Sequence, residues 1–293
     1  MPKTMLDQAV LSYYLYRLAG FLAPHIPPHL GYRLAEPVGE LLYRFPWGAR
    51  ASVRDNITHV LGPSADVERV VRRVFHNIAK NYYDLFRLPA LSRAQIERLV
   101  RIEGWEHIEQ ALAKGKGLIF VSAHFGNVDL VSQVFALRGI PVTIPVEHLK
   151  PEALYRYVCG LRESKGIRLI PVDGPLLGLY RALRRGEVVG LAADRDITKS
   201  GIVINFFGAP ARLPDGHVRL ALRTGAPIVM GFSRRLPDNT FVAYLESPLE
   251  LETSGDRARD VRAGLEKVAR VMERFIVQWP DQWVMTYPIW REA

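Results

Sequence analysis

The chain has 293 residues, of which 48% are hydrophobic, so it is long enough to bury a large core. Its net charge is +9 at pH 7, and this excess of basic residues favours an acidic partner such as an anionic membrane surface or nucleic acid. The single cysteine, Cys159, excludes an intramolecular disulfide, and the sequence has no Cys/His spacing of a zinc site, so we predict no metal site.

The N-terminal segment predicts an amphipathic helix over residues 5–22. Aromatic residues that suit a membrane interface recur in it, namely Tyr13, Tyr14, Tyr16 and Phe21. A spanning helix needs about 20 mostly apolar residues, whereas the uncharged stretch between Arg17 and Arg33 is shorter and contains the proline-rich "PHIPP". We therefore predict peripheral attachment to a membrane surface, with simple packing on the domain as the alternative.

Residues 1–101 are predicted to form a helical N-terminal region that contacts the membrane surface. Apolar residues recur at helical spacing in three stretches of it, residues 31–45, 66–88 and 92–102. Residues 67–101 carry eight Lys or Arg residues against three acidic ones, so this part of the region is expected to be basic.

From residue 117 onward, short apolar runs alternate with helical stretches. The runs are "GLIFVSA", "IPVTIPV", "IRLIPV", "EVVGLAA" and "IVINFF". Such alternation predicts an α/β fold, with a mostly parallel central sheet flanked by helices. The later runs "APIVMGFSRRL" and "TFVAYLESPLEL" indicate a hairpin, and residues 256–280 indicate a long helix. We expect residues 102–293 to form one integrated core.

A histidine at the end of the first apolar run is the strongest candidate for chemistry. Ligands of open α/β sheets bind beyond the carboxyl ends of the strands, where His124 is expected. Gly126 allows a turn, Asn127 can cap the next helix, and Asp129 falls in its first turn. A carboxylate there could bind one imidazole nitrogen and leave the other as a base. The alternative is an ordinary strand-terminal histidine, with Asp129 interacting with the helix dipole.

Other polar residues follow later predicted elements. Asp194 and Arg195 follow the strand "EVVGLAA" and are expected at the same edge of the sheet as His124, with an ordinary charged loop as the alternative. Arg162 ends a helix, where a basic residue is typical because of the helix dipole.

Aromatic and basic residues also occur together in the segment 204–229. Phe206, Phe207 and Arg212 could seat an acyl chain near an anionic head group. The alternative is that the two aromatic side chains belong to the core.

Several common signatures are absent from the sequence. It has no G-x-S-x-G nucleophile elbow, which weakens an α/β-hydrolase interpretation. It also has no Walker A motif, no G-x-G-x-x-G and no RNA-binding pattern to accompany its basic charge, so we predict no nucleic-acid partner.

The segment "HFGNVD", residues 124–129, resembles the H-x-x-x-x-D signature of glycerolipid acyltransferases. Its surroundings narrow the resemblance, because four more segments match in order, "NYYDLFRLP", "RRGEVVGLAADRD", "VINFFGAPARLPDGHVRLALRTGAPIV" and "QWPDQWVMTYPIW". From about residue 70 to 290 the chain is similar to the late (lauroyl or myristoyl) acyltransferases of lipid A biosynthesis and to the phosphatidylinositol mannoside acyltransferases.

This resemblance implies transfer of a fatty acyl group from an acyl carrier protein or coenzyme A thioester to a hydroxyl of a (glyco)lipid acceptor. No further cofactor is expected, and the implied location is the cytoplasmic face of the inner membrane. Many lipid A enzymes begin with a clear membrane-spanning helix, whereas this chain has only a broken apolar segment, which favours peripheral attachment. His124 corresponds to the catalytic base and Asp129 to its orienting acid, while Arg162 and Asp194 fall at functional positions.

We predict substrate binding by six further residues, Gly126, Asn127, Arg195, Phe206, Phe207 and Arg212. The backbone N–H groups of residues 126–128 are candidate donors to the oxyanion. Two alternatives stay open, a lipid hydrolase that uses the same His/Asp pair and a non-enzymatic basic module that binds membrane or RNA.

Overall fold

Helices and strands alternate along most of the chain. The computed structural model describes residues 3–45, 48–63, 66–174 and 177–290, with side chains from residue 10 onward. The α-helices are α1 (Lys3–Leu22), α2 (Pro28–Arg44), α3 (Gly48–Leu61), α4 (Val67–Arg87), α5 (Arg93–Leu99), α6 (Trp105–Leu112), α7 (Val128–Val131), α8 (Gln133–Leu137), α9 (Glu152–Glu163), α10 (Leu177–Arg184), α11 (Gly216–Thr224) and α12 (Arg257–Gln278). The strands are β1 (Val100–Glu103), β2 (Leu118–Ser122), β3 (Val142–Val146), β4 (Arg168–Pro171), β5 (Val188–Ala192), β6 (Ile202–Phe206), β7 (Ala209–Leu213), β8 (Ile228–Arg235) and β9 (Phe241–Leu245).

Within the described residues, seven strands form one sheet in the order β1-β9-β8-β2-β5-β3-β4. All neighbouring pairs are parallel except β8 and β9, which form the predicted antiparallel hairpin. Helices pack on both faces, as buried parallel strands require. The predicted fold class, a mostly parallel sheet flanked by helices with a helical N-terminal region, is confirmed.

Two strands differ from the sequence-based prediction. Helix α5 ends at Leu99, and Val100–Glu103 pairs with β9 at the edge of the sheet instead of continuing the helix. Buried and more exposed side chains alternate in this short segment, which suits an edge strand. The sheet thus begins just before the boundary predicted at residue 101, and that domain division stays a prediction.

The second difference concerns β6, which pairs with β7 in a separate antiparallel hairpin and not with the central sheet. Phe207 and Gly208 form its two-residue loop, and both have positive φ angles of 51° and 77°. Such a loop twists in the sense that an antiparallel hairpin needs. The run "IVINFF" is therefore a strand, as predicted, but it lies outside the central sheet.

The N-terminal helices pack closely against α4. Gly31 and Gly39 of α2 face α4, where a Cβ atom would meet the ring of Tyr83 and the backbone of His76. Small residues here allow α2 to lie directly on α4, and the opposite face of α2 is left exposed. Across the described helices, none combines the length and the apolarity needed to cross a bilayer.

Candidate active site

The central pair of strands brings a histidine and an aspartate together. β2 and β5 are parallel neighbours in register from Leu118–Val188 to Ser122–Ala192, so both end at the same edge of the sheet. His124 and Asp194 each follow two residues later. The Nδ1 atom of His124 lies 2.8 Å from Oδ1 of Asp194, and the backbone N–H of His124 donates to Oδ2 at 2.8 Å. Both strand ends lie at the same edge of the sheet, as the sequence led us to expect.

The C-terminal segment completes this pair. Trp283 is fully buried, and its indole Nε1–H donates to Oδ2 of Asp194 at 2.9 Å. An ionised carboxylate accepts hydrogen bonds only, so Nδ1 of His124 carries the proton and Nε2 is left as a base. Asp194 is completely buried, whereas the His124 side chain is 37% exposed. The free edge of the imidazole is therefore accessible.

His124 and Asp194 each favour the charged form of the other. Burial alone would lower the pKa of His124, but the charge and hydrogen bond of Asp194 outweigh it and raise that pKa above 6.5. Burial would likewise raise the pKa of Asp194, yet the His124 charge and the hydrogen bonds from His124 and Trp283 lower it below 3.8. Asp194 thus stays ionised and favours the imidazolium form of His124.

Asp129 does not orient His124, so that part of the prediction is wrong. Its carboxylate pairs with Arg162, with Nε 2.8 Å from Oδ1 and Nη2 donating to Oδ2 at 3.2 Å. The physical reason is that Asp129 lies in the first turn of α7 and faces α9, whereas Asp194 follows the strand next to β2. The Asp129 charge raises the pKa of Arg162, and the pair places a cation near His124.

The turn after His124 is fixed by the surrounding structure. Gly126 has φ +64°, and a Cβ atom there would overlap the carbonyl oxygen of Ser233. The N–H of Gly126 donates to the carbonyl of Gln282 at 2.8 Å, and the N–H of Asn127 donates to Oγ of Ser233 at 3.1 Å. Asn127 caps α7 through Oδ1, as predicted, and its Nδ2 donates to Asp84.

These contacts correct the predicted roles of two residues. The backbone N–H groups of Gly126 and Asn127 already have partners, so neither is free for an oxyanion. Among the described residues that line the cavity beside His124, neither Gly126 nor Asn127 occurs. Both residues hold the turn, and their predicted role in substrate binding stays a prediction.

The four other predicted site residues separate into two groups. Arg195 lies in the cavity wall, pairs with Glu147 at 2.6 Å and stacks over the ring of Tyr287. Phe206 is fully buried and stacks on Trp290, and Phe207 packs against the same core.

Arg212 is also absent from the described cavity wall, and its Nη1 donates to the carbonyl oxygen of Gly201 at 2.8 Å. The hairpin β6–β7 packs on α12 and its aromatic residues belong to the core, so the predicted acyl seat at Phe206, Phe207 and Arg212 is not part of the cavity beside His124.

A cavity of about 640 Å³ opens beside His124. Its wall combines the polar residues His124, Asp129, Arg162 and Arg195 with a mostly apolar interior. Small residues of the sheet line it on one face, namely Ser122, Gly190, Ala192, Gly231, Ser233 and Ala243. Larger apolar side chains enclose this space, among them Trp105, Phe120, Phe135, Ile144 and Leu169. The arrangement suits a long apolar ligand whose reactive end lies at His124.

The comparisons with known proteins identify the family. The model of the bacterial lipid A biosynthesis acyltransferases matches residues 2–292. The phosphatidylinositol mannoside acyltransferase of Mycobacterium tuberculosis H37Rv is 31% identical over 93% of this chain and 86% of its own. This chain belongs to the bacterial lipid A biosynthesis acyltransferase family. The lipid A biosynthesis lauroyltransferase of Escherichia coli K12 is 27% identical over 90% of this chain and 86% of its own.

Family membership confirms the predicted enzyme class, an O-acyltransferase. Sequence reasoning missed two parts of this acyltransferase's site, the indole of Trp283 and the pairing of Asp194 with His124. A signal for the first exists in "QWPDQWVMTYPIW", where buried indoles are expected to find hydrogen-bond partners. In the described part of the chain, no three His, Cys, Asp or Glu side chains lie close enough together to hold a metal ion.

Proposed function

We propose that this acyltransferase moves a fatty acyl group from a thioester to a hydroxyl of a (glyco)lipid acceptor, with His124 as the general base. The observation that carries the proposal is the bond between Nδ1 of His124 and Asp194 at the mouth of an apolar cavity. This bond leaves Nε2 free to accept a proton.

The reaction then follows from the charges. Nε2 of His124 takes the proton of the acceptor hydroxyl while the hydroxyl oxygen attacks the thioester carbonyl carbon. Asp194 stabilises the imidazolium that forms. As the tetrahedral intermediate collapses, the carbon–sulfur bond breaks, and the leaving thiolate takes the proton from Nε2 of His124. Arg162, held by Asp129, provides positive charge near the developing oxyanion. No covalent acyl-enzyme is required.

The cavity supports placing the acyl chain against the face of the sheet that carries Phe120. Gly190 and Gly231 line this face, where Gly231 allows the ring of Phe120 to lie directly over the sheet, and Phe120 and Phe135 border the cavity. The volume of about 640 Å³ lies in the range of small-molecule sites, about 300–1,000 Å³. Acyl carrier protein and coenzyme A both present the chain as a thioester, so either serves as a co-substrate and not as a resident cofactor.

The acceptor is proposed to be a glycolipid, because the relatives are named for phosphatidylinositol mannoside and lipid A. All of these relatives are acyltransferases, so neither a hydrolase nor a non-enzymatic module gains support from the comparisons.

A lipid bilayer is the proposed partner of the exposed N-terminal surface, on the cytoplasmic face of the inner membrane. Apolar side chains that are more than half exposed form a stripe on each of two helices, Leu11, Tyr14, Leu15, Leu18 and Phe21 of α1 and Leu34, Val38 and Leu41 of α2. Tyr16 of α1 and Tyr82 of α4 line the cavity. The apolar surface therefore adjoins the cavity that a lipid acceptor has to reach.

The test is transfer of a labelled acyl group from acyl-coenzyme A or acyl carrier protein to a glycolipid extract, followed by product analysis. We expect His124→Ala to lose at least about 10²-fold in activity, because the base is removed. His148→Ala is the control, since His148 is exposed and pairs with Glu152 on the surface. Release of free fatty acid alone, with no acylated lipid, would reject the transfer reaction.

A further inference from the structure

Gln133 begins α8 and is completely buried beside the cavity. Its side-chain Nε2 donates two hydrogen bonds, one to the carbonyl oxygen of Asp129 at 2.8 Å and one to the carbonyl oxygen of Arg162 at 3.0 Å. These are the backbone groups of the two residues whose side chains form the ion pair near His124. A single amide group therefore joins α7 to α9 at that pair.

The two bonds fix the orientation of the amide. Both partners are carbonyl oxygens, so only the NH₂ group of Gln133 can face them. The side-chain oxygen Oε1 then points the other way, where it is buried and has no hydrogen-bond partner among the described residues. A buried acceptor without a partner lowers stability. A leucine of similar size would avoid this loss, but it would leave both carbonyl oxygens without the donor that joins α7 to α9.

The ion pair itself cannot supply the same restraint. The side chains of Arg162 and Asp129 are 30% and 26% exposed, so water and salt weaken their attraction. Arg162 also lies in the last turn of α9, whose final carbonyl groups have no partner within the helix. Gln133 gives one of these carbonyls a buried donor and so fixes the end of α9.

We propose that Gln133 is a positioning residue for acyl transfer, one that holds α9 against α7 so that Arg162 stands at a set distance from His124. The proposal rests on the proposed function of Arg162 as a cation beside the reacting carbonyl. Gln133 acts through Arg162 and does not contact the reacting atoms.

The experiment is a double-mutant cycle of Gln133→Leu with Arg162→Ala, read by kcat, KM and thermal unfolding. We expect Gln133→Leu to lower kcat about 10- to 100-fold, the effect of a small misplacement of a reacting group. The unfolding temperature should change little, because Leu removes the unpaired acceptor but also leaves the two carbonyl oxygens without their amide donor. In the Arg162→Ala background the same change should have little further effect.

Thr143→Val is the matched control. Thr143 is another buried polar residue, and its Oγ1 likewise has no partner among the described residues, but it does not line the cavity. Its replacement should leave kcat unchanged. If Gln133→Leu fails to fold, Gln133→Met provides a more adaptable side chain of similar length.

Two results would overturn the proposal. Additive losses in the cycle would mean that Gln133 acts independently of Arg162, and a loss of activity that merely follows a loss of stability would make Gln133 a structural residue. Failure of the proposed function looks different, because His124→Ala would then retain transfer activity while the coupling of Gln133 to Arg162 could still be measured.

Discussion

Two carboxylates near His124 have different partners because their surroundings differ. Asp194 is fully buried and receives hydrogen bonds from His124 and Trp283, so its charge acts on the imidazole. Asp129 is partly exposed and binds a permanent cation, Arg162. Asp194 therefore controls the protonation of His124, and Asp129 positions the positive charge of Arg162.

Replacing the buried carboxylate should slow the chemical step. Asp194→Asn keeps the shape but loses the charge that stabilises the imidazolium, so we expect kcat to fall by about 10²- to 10⁴-fold with little change in KM. Asp129→Asn is the comparison, and its smaller loss should disappear in an Arg162→Ala background. A larger loss for Asp129→Asn than for Asp194→Asn would restore Asp129 as the partner of the base.

The same variant should change the pH profile. The base is active when neutral, so kcat/KM should fall as the pH drops through the pKa of His124, which Asp194 holds above 6.5. Asp194→Asn removes that charge while burial still lowers the pKa, and the acid limb should therefore shift to lower pH. A profile of residual activity between pH 5 and 9 measures the shift. An unchanged acid limb would mean that another group controls it.

At the scale of the elements, small residues on neighbouring strands produce the cavity. Gly190 of β5, Gly231 of β8 and Ala243 of β9 face the same side of the sheet as Phe120. A Cβ atom at Gly190 would lie 3.1 Å from Cγ1 of Ile144, so the space there is already narrow. The sheet supplies both the frame of the active site and the room for an apolar chain.

Filling this space should change the choice of acyl donor. Gly190→Ala and Gly190→Val place one and three carbons in the cavity, so we expect kcat/KM to fall for long acyl thioesters and to hold for short ones. Each methylene of the acyl chain that can no longer be buried costs about 0.8 kcal/mol of binding free energy, or roughly fourfold in kcat/KM. A chain-length series for each variant measures the shift.

Gly160→Ala of α9 is the control for this series, because a Cβ atom there meets no neighbour within 4 Å. Equal losses at every chain length in the Gly190 variants would place the acyl chain elsewhere.

The order of the strands explains how much of the site the sequence could predict. The runs that become β2 and β5 are recognisable, and so is the tendency of Asp194 to meet His124 at one edge of the sheet. The pairing of these two residues depends on β5 lying next to β2 although β3 and β4 come between them in the chain. Local spacing favours Asp129 because sequence patterns carry no information on such neighbours.

Other features were hidden for similar reasons. Trp283 reaches Asp194 from 89 residues away, and no local pattern reports such a contact. Phe206 follows an apolar run next to a turn, and whether it faces a cavity or the core depends on where α12 packs.

At the scale of the whole molecule, the exposed apolar stripes lie on a chain of net charge +9. Most basic residues of segment 67–101 are already engaged in ion pairs, among them Arg69 with Asp66, Arg72 with Glu40 and Lys80 with Glu36. Their charge is therefore partly neutralised, and the apolar surface of α1 and α2 should contribute more to membrane binding than the basic residues do.

Membrane binding should fail when the apolar stripe is made polar. Leu34→Asp with Leu41→Asp introduces two charges on the exposed face of α2, so we expect loss of flotation with anionic vesicles. Most wild-type binding should survive 1 M salt, where the Debye length is about 3 Å. Val277→Asp on α12 is the control, because Val277 is 51% exposed, close to the 55% of Leu34. Equal effects of the two changes would mean that α2 is not the docking face.

The contact between Trp283 and Asp194 has a consequence for the synthesis of the protein. The nascent chain emerges from the ribosome N-terminus first, so α1 and α2 can reach a bilayer while most of the chain is still being made. Asp194 receives its third hydrogen bond, from the indole of Trp283, only after residue 283 has left the ribosome and packed. We therefore expect a nascent chain to be bound at the membrane before it can act on any lipid there.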